Sequence, residues 1–265
     1  MREERSPAIV LRTRAHAESD KIVTCLSRDW GKISAIAKGA KRSRRRFVNV
    51  LEPFSHIQLR VRPSRSEELL FLLGAELIQA FRRPSDDLER FALANYIVEL
   101  ADVMTAGREA GQDLYQLVLS GLGTLEVRSE LSPLFAPLFA LQILRQVGYA
   151  PDFSTCQRCG ASLAEQAQDG AGIALSSQLG GLLCPGCHGQ GGTLLRLSPE
   201  TVAVLRAYHD PPAGISPRTR QEVPALVTRL LSQHLTRPLK SLAFLDQVGA
   251  WGMRPEASAS EPPRN

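Results

Sequence analysis

Four of the five cysteines stand in two pairs, Cys156-Gln-Arg-Cys159 and Cys184-Pro-Gly-Cys187, with 24 residues between the pairs. A CxxC turn places two sulfurs on one tight bend, and two such bends complete a tetrahedral shell of four thiolates, which suits zinc. Gly160 and Gly186 let the backbone curve around the metal. Four thiolates leave no position open for water, so the expected zinc is single and structural, not catalytic. His188, beside the second pair, is a weaker alternative ligand. A redox reading of either pair lacks the surrounding pattern of a thioredoxin-like unit. The odd cysteine, Cys25, sits in an apolar run and reads as a small buried hydrophobe.

The second constellation is Lys38-Gly39-Ala40-Lys41-Arg42-Ser43-Arg44-Arg45-Arg46, six cations in nine residues, with no acid between Lys32 and Glu52. Its natural partner is phosphate, because binding releases counterions condensed on the polyanion. The chain as a whole has a net charge of +5. Residues 1–65 alone hold 16 Lys/Arg against 6 Asp/Glu, a net of +10, so the remainder carries −5. Arg12, Arg14, Lys32, Arg60, Arg62 and Arg65 extend the basic surface. Nucleic acid is therefore the first candidate partner and an anionic membrane the second. Trp30, Phe47, Phe54 and Phe71 are the aromatics of this region and are expected to be mostly buried. Binding should then rest on backbone charge more than on base stacking, without sequence specificity.

Signatures of catalysis are missing: the chain contains no GxxxxGK[ST], no HExxH and no GxSxG. His16-Ala17-Glu18 matches half of a zinc-deaminase signature, but Leu183 stands where that signature has proline, and Cys156 and Cys159 would be left unexplained. The expectation is a protein that is not an enzyme.

The elements that must position these residues follow from periodicity. Residues 8–79 show short runs of period two broken by turn residues, as in a small closed antiparallel sheet. In His56–Arg62, Ile57, Leu59 and Val61 alternate with polar and basic positions. Asp20–Leu26 and Lys32–Lys38 flank a turn containing Gly31. Five strands in eighty residues point to an OB-fold barrel. After Pro84 the pattern becomes helical, with Ser85 as N-cap and Leu88, Phe91, Val98 and Ala101 as the buried stripe. Further helices are expected over 113–127 and 133–147, the latter irregular at Pro137 and closed by Gly148. Helices resume at Ser198-Pro199-Glu200, and Val223, Leu226, Val227, Leu230, Leu231 and Leu235 form a core-facing stripe. Residues 251–265 have the composition of a disordered tail. No run is long and apolar enough for a signal peptide or a membrane span, so a cytoplasmic location is expected.

Three stretches together carry a family resemblance. They are Asp20-Lys-Ile-Val-Thr-Cys-Leu-Ser-Arg-Asp-Trp-Gly-Lys-Ile-Ser-Ala-Ile-Ala-Lys-Gly-Ala-Lys-Arg, then Leu51-Glu-Pro-Phe-Ser, and the late Arg237-Pro-Leu-Lys-Ser-Leu with the CxxC pairs between. This arrangement resembles the RecO family over roughly residues 5–247. The resemblance implies an α+β multidomain chain: an N-terminal five-stranded OB-fold barrel (1–80), an α-helical domain in two parts (81–153 and 193–250) and an inserted zinc-ribbon-like subdomain (154–192). It also implies a recombination mediator in DNA repair, nucleoid-associated, that binds single- and double-stranded DNA and anneals complementary strands. With RecR such a protein promotes RecA loading onto DNA coated by single-stranded DNA-binding protein, whose C-terminal tail it contacts. The family's basic surface maps onto Lys32, Lys38, Lys41, Arg42, Arg44, Arg45 and Arg46, with Arg60 and Arg62 adjoining on the barrel. The dense arginine run departs from the family pattern. An RNA-binding OB-fold zinc protein would share the charge pattern, and a zinc hydrolase would need an open metal site.

Overall fold

The computed structural model describes residues 3–43, 45–62, 69–105, 111–166, 172–176, 178–190, 192, 194–208 and 214–251. Arg44, Arg65 and the expected tail from 252 onward lie outside them. The chain divides into two compact units: Met1–Glu130 with Gln146–Gly148 and Leu235–Ser241, and Leu131–Arg145 with Tyr149–His234 and Leu242–Asn265.

In the first unit five strands close into a barrel: β1 (Glu4–His16), β2 (Asp20–Ser27), β3 (Gly31–Ala37), β4 (His56–Arg62) and β5 (Leu70–Gln79), in the order β1-β2-β3-β5-β4. All pairings are antiparallel except β3 with β5, where Ala35 faces Leu70 and Ile36 faces Phe71. This is the Greek-key closure of the OB-fold, completed between β3 and β5 by a two-residue seam. The alternation read in β4 is realised, with Ile57, Leu59 and Val61 each at most 1% exposed inside the barrel. Val23, Cys25, Ile33, Ala35, Leu70 and Leu72 join them from the other strands. A bulge between Val10 and Arg12 shifts the register of β1, so that Arg12 pairs with Thr24 and Arg14 with Ile22, both arginines exposed.

Three helices follow: α1 (Arg83–Asp86), α2 (Leu88–Met104) and α3 (Gln112–Val127), with α2 and α3 lying against β1. Ser85 is not the cap of the long helix. Pro84 starts a separate short turn, in which the Ser85 hydroxyl donates to the Phe81 carbonyl. Asp87, in extended conformation, caps α2 by accepting from Arg90 N at 2.8 Å. The stripe is also shorter than periodicity suggests: Val98 and Ala101 are buried, whereas Leu88 and Phe91 are 64% and 42% exposed. The Phe91 ring instead meets Phe54 edge-on at 6.0 Å.

The second unit contains α4 (Phe135–Gln146), α5 (Leu163–Gln166), strands β6 (Ile173–Ser176), β7 (Gly181–Leu183) and β8 (Leu194–Leu197), then α6 (Pro199–Ala207) and α7 (Pro217–His234). Helix α8 (Lys240–Gln247) ends the described helices. As its composition implies, α4 is buried over Ala136–Leu141 and at Ile143 and Leu144. Gly148, at φ +80°, lets the chain turn so that Tyr149 N and Ala150 N both donate to the Leu144 carbonyl. Ser198 caps α6 by accepting from Thr201 N, as its sequence position indicates. In α7, Val223, Leu226, Val227, Leu230 and Leu231 are all at most 1% exposed, and Leu235 falls just past the helix end. Among the described residues no helix is long and apolar enough to cross a membrane.

Candidate metal centre and nucleic-acid interface

The first CxxC turn is closed by Gly160 N donating to the Cys156 carbonyl and the second by Cys187 N donating to the Cys184 carbonyl, each at 2.9 Å. Gly160 takes φ +72°, a left-handed conformation that a side chain would strain. A three-stranded sheet, order β7-β6-β8, brings the turns together. Cys184 directly follows β7, and Gln157 N, from the first turn, donates to Leu182 O on that strand at 2.8 Å. Gly181 is needed there, because a Cβ would come within 2.9 Å of the Gln157 side chain.

The four sulfurs end within 4.8 Å of one another, Cys159 Sγ and Cys184 Sγ being 3.7 Å apart. A tetrahedron with metal–sulfur bonds of about 2.3 Å requires sulfur separations of about 3.8 Å. Cys184 N also donates to Cys156 Sγ at 3.4 Å. Burial opposes ionisation of Cys156, but main-chain donors from Cys159, Cys184 and Arg158 outweigh it and hold this thiol at about 6. Burial and the neighbouring sulfurs hold Cys184 above its usual range, and the contact with Cys184, ahead of burial, pushes Cys187 up to about 12, so four clustered thiols of which one ionises readily fit a shared cation that would let the others follow. His188 is not among the clustered ligands. Cys25 stands apart inside the barrel, its thiol pushed up to about 12 by burial.

The basic segment is more ordered than its glycine and serine content suggests. Gly39, at φ +68°, donates its N–H to Asp20 Oδ1 at 2.8 Å, and Ala40–Arg42 form a turn of 3-10 helix. That main-chain donor and then the Ser19 hydroxyl hold the Asp20 carboxyl below its usual range. Lys41 N reaches Ser19 O at 2.9 Å, and Ala40 and Phe47 insert into the barrel core. Ala75 N donates to Arg46 O, tying the far end of the segment to β5. Lys38, Lys41, Arg42, Arg45 and Arg46 are consequently displayed, exposed, on a fixed scaffold.

The cations read from sequence are not equivalent. Arg42 and Arg45 are exposed, and Lys41 keeps its exposure while its Nζ donates to Ala17 O at 2.8 Å. The Arg46 guanidinium donates to Lys38 O at 3.0 Å and lies over Phe47. Lys38 Nζ and Arg62 Cζ sit 5.4 and 5.7 Å from the centre of the Phe71 ring. Arg60 is half-buried, lies over Gly74, where a Cβ would come within 2.8 Å of its guanidinium, and pairs with Glu3 at 3.5 Å. Lys32 is engaged elsewhere: its Nζ donates to the Asp102 and Thr105 carbonyls and lies 3.5 Å from Asp102 Oδ1. Among the described residues Asp102 gathers three cations, with Arg12 at 2.8 Å and Arg237 at 3.8 Å on Oδ2. Nothing in the sequence around Asp102 announces this hub. The aromatics also depart from expectation: of the four, Phe47 is buried at 5% exposed, whereas Trp30, Phe54 and Phe71 are half-buried, Phe71 on the outside of β5.

Comparison with known proteins accounts for nearly the whole chain. The family model described as "Recombination protein O N terminal" matches residues 1–81, and "Recombination protein O C terminal" matches residues 85–243. A "DNA repair protein RecO" of Anaeromyxobacter sp. (strain K) is 33% identical over 253 residues, covering 91% of this chain and 95% of the relative. Proteins of the same name from Symbiobacterium thermophilum and Geobacter metallireducens are 34% and 35% identical, covering 91% and 94% of this chain and 95% and 99% of their own lengths.

Proposed function

The chain belongs to the RecO family of DNA repair proteins, and from that premise we propose that this recombination mediator works by holding DNA backbone on the basic end of its barrel. The observation that carries the reading is the exposed set Lys38, Lys41, Arg42, Arg45 and Arg46, fixed by the Asp20–Gly39 contact in a stretch without acids from residue 33 to 51. Arg44 belongs to the same run, and Arg62 adjoins it on the barrel. Arg60 contributes at the edge. Lys32 supports the scaffold that displays them. Such a surface engages single- and double-stranded DNA alike through phosphates, with no means of reading base edges. Screening the charge of two complementary strands at one surface lets them approach and anneal.

In the second unit Cys156, Cys159, Cys184 and Cys187 hold one zinc ion, which cross-links the two CxxC turns to the small sheet. Zinc so ligated supplies folding energy and no chemistry, consistent with a mediator that does not turn over a substrate. The partners are those of the pathway: RecR, RecA as the protein loaded, and the acidic-hydrophobic tail of single-stranded DNA-binding protein, which would lay its apolar residues against helices of the C-terminal region with arginines at the rim. A tail peptide should bind at low salt in calorimetry.

The experiment that tests the reading is annealing of complementary oligonucleotides, bare and coated with single-stranded DNA-binding protein. Acceleration in both cases supports it, and no acceleration of either overturns it. Competition with RNA of equal length completes the test: RNA that displaces single-stranded DNA at lower concentration than DNA itself would favour an RNA-binding role.

A further inference from the structure

We propose that the outer face of the barrel carries a base-stacking site centred on Phe71, so that the chain grips unpaired strands by their bases as well as by their phosphates. This inference rests on the DNA-binding reading above and sharpens it. In β5 the burial alternates, Leu70 and Leu72 pointing into the barrel and Phe71 and Leu73 outward. Residues paired directly across strands share a face. Phe71 is paired with Ile36 of β3 on one side and Arg62 of β4 on the other, and Lys38 stands two residues beyond Ile36. Ile36, Phe71 and Leu73 are half-buried, while Lys38 and Arg62 are exposed. An apolar, aromatic centre is thus bordered by two cations, each under 6 Å from the ring centroid.

That arrangement has the chemistry of an unpaired nucleotide in reverse. A base offers a flat π-face that stacks on a phenyl ring whatever its identity, and the phosphates on either side of it meet the flanking ammonium and guanidinium. A duplex cannot use the site, because its bases are already stacked on one another and only their edges reach the grooves. The cations also explain how a phenyl ring is tolerated on the outside of a basic barrel: both lie over it in the free protein, and an arriving base would displace them from the ring onto its own flanking phosphates. The Lys38–Arg46 run beside it then supplies affinity for any backbone, and Phe71 supplies preference for single strands.

The test uses the full chain with three ligands of equal length: oligothymidylate, an abasic strand and a duplex. Stacking contributes about 1–3 kcal/mol per base, so Phe71→Leu, which keeps apolar bulk without the ring, should weaken oligothymidylate binding by roughly 5- to 150-fold. Affinity for the abasic strand and the duplex should change by less than about two-fold on the same argument. Phe71→Trp should retain tight binding, and its added emission should be quenched by oligothymidylate and not by the abasic strand. Wild-type affinity for oligothymidylate in the leucine variant, or equal loss for all three ligands, would overturn the proposal. A wild-type chain that binds none of the three at low salt would overturn the DNA-binding reading itself.

Discussion

The ammonium of Lys32 lies 3.5 Å from the carboxylate of Asp102 and donates as well to the main-chain oxygens of Asp102 and Thr105, so a cation on β3 closes the C-terminal end of α2. Asp102 is 7% exposed, and Arg12 and Arg237 share its other oxygen. A carboxylate so placed is tolerable only while its partners remain, and the cation at a helix C-terminus gains from the dipole too.

Lys32→Ala should therefore act on stability. Losing one partner of a buried pair costs several kcal/mol, reduced here because two arginines still face Asp102, which leaves about 2 kcal/mol. Urea unfolding should show that loss, while the slope of log affinity against log salt stays as in wild type, a lost phosphate contact being worth about 0.7. An unchanged midpoint together with a flattened slope would mean that Lys32 contacts DNA.

Metal removal should act on the second unit and spare the first. Fresh protein should contain one zinc per chain, and Cys156→Ala, or chelation, should unfold the segment between the CxxC pairs and leave the barrel able to bind DNA. Proteolysis within residues 157–183 with DNA affinity preserved would be the signature. Because the ligands must be thiolates, zinc should be lost progressively as pH falls. Less than half an equivalent of zinc in fresh protein would contradict the assignment.

His56 predicts a pH dependence. Burial lowers its pKa from 6.5, its Nε2 meets Tyr115 Oη at 2.7 Å, and its Nδ1 is buried without a partner among the described residues. The folded state therefore favours neutral imidazole, and the unfolded chain binds the proton more readily. Stability from this group is complete above pH 6.5 and is lost as pH falls through that value toward the lower folded pKa. His56→Gln, which keeps a polar group toward Tyr115, should flatten the fall in melting temperature as pH drops below 6.5. Parallel curves for variant and wild type would refute the role.

What the sequence disclosed was set by how local the determinants were. Strand β4 was legible because its alternation is a property of seven consecutive residues, and the four-cysteine cluster because each half is closed by one turn. Ser85 and Asp87 are both residue types that favour the cap of α2, and only the extended break at Asp87 between α1 and α2 decides for Asp87. Leu88 and Phe91 fit a helical stripe, yet in the first turn of α2 they stay 64% and 42% exposed, Phe91 meeting the Phe54 ring edge-on. Lys32 and Lys38 look alike in sequence; what separates them is Asp102, seventy residues later, which no local pattern reveals. The outward turn of Phe71 likewise depends on the closure of β3 against β5.

The most direct measurement is single-strand affinity against salt for wild type and for a variant with Lys41, Arg42, Arg44 and Arg45 all replaced by alanine, with annealing rates recorded on the same preparations. Six cations neutralising roughly four to six phosphates give a wild-type slope of about −3 to −4, at about −0.7 per contact. The variant should fold normally, flatten the slope by about two to three units and lose annealing in step. A folded variant that keeps both its salt slope and its annealing rate would contradict the account.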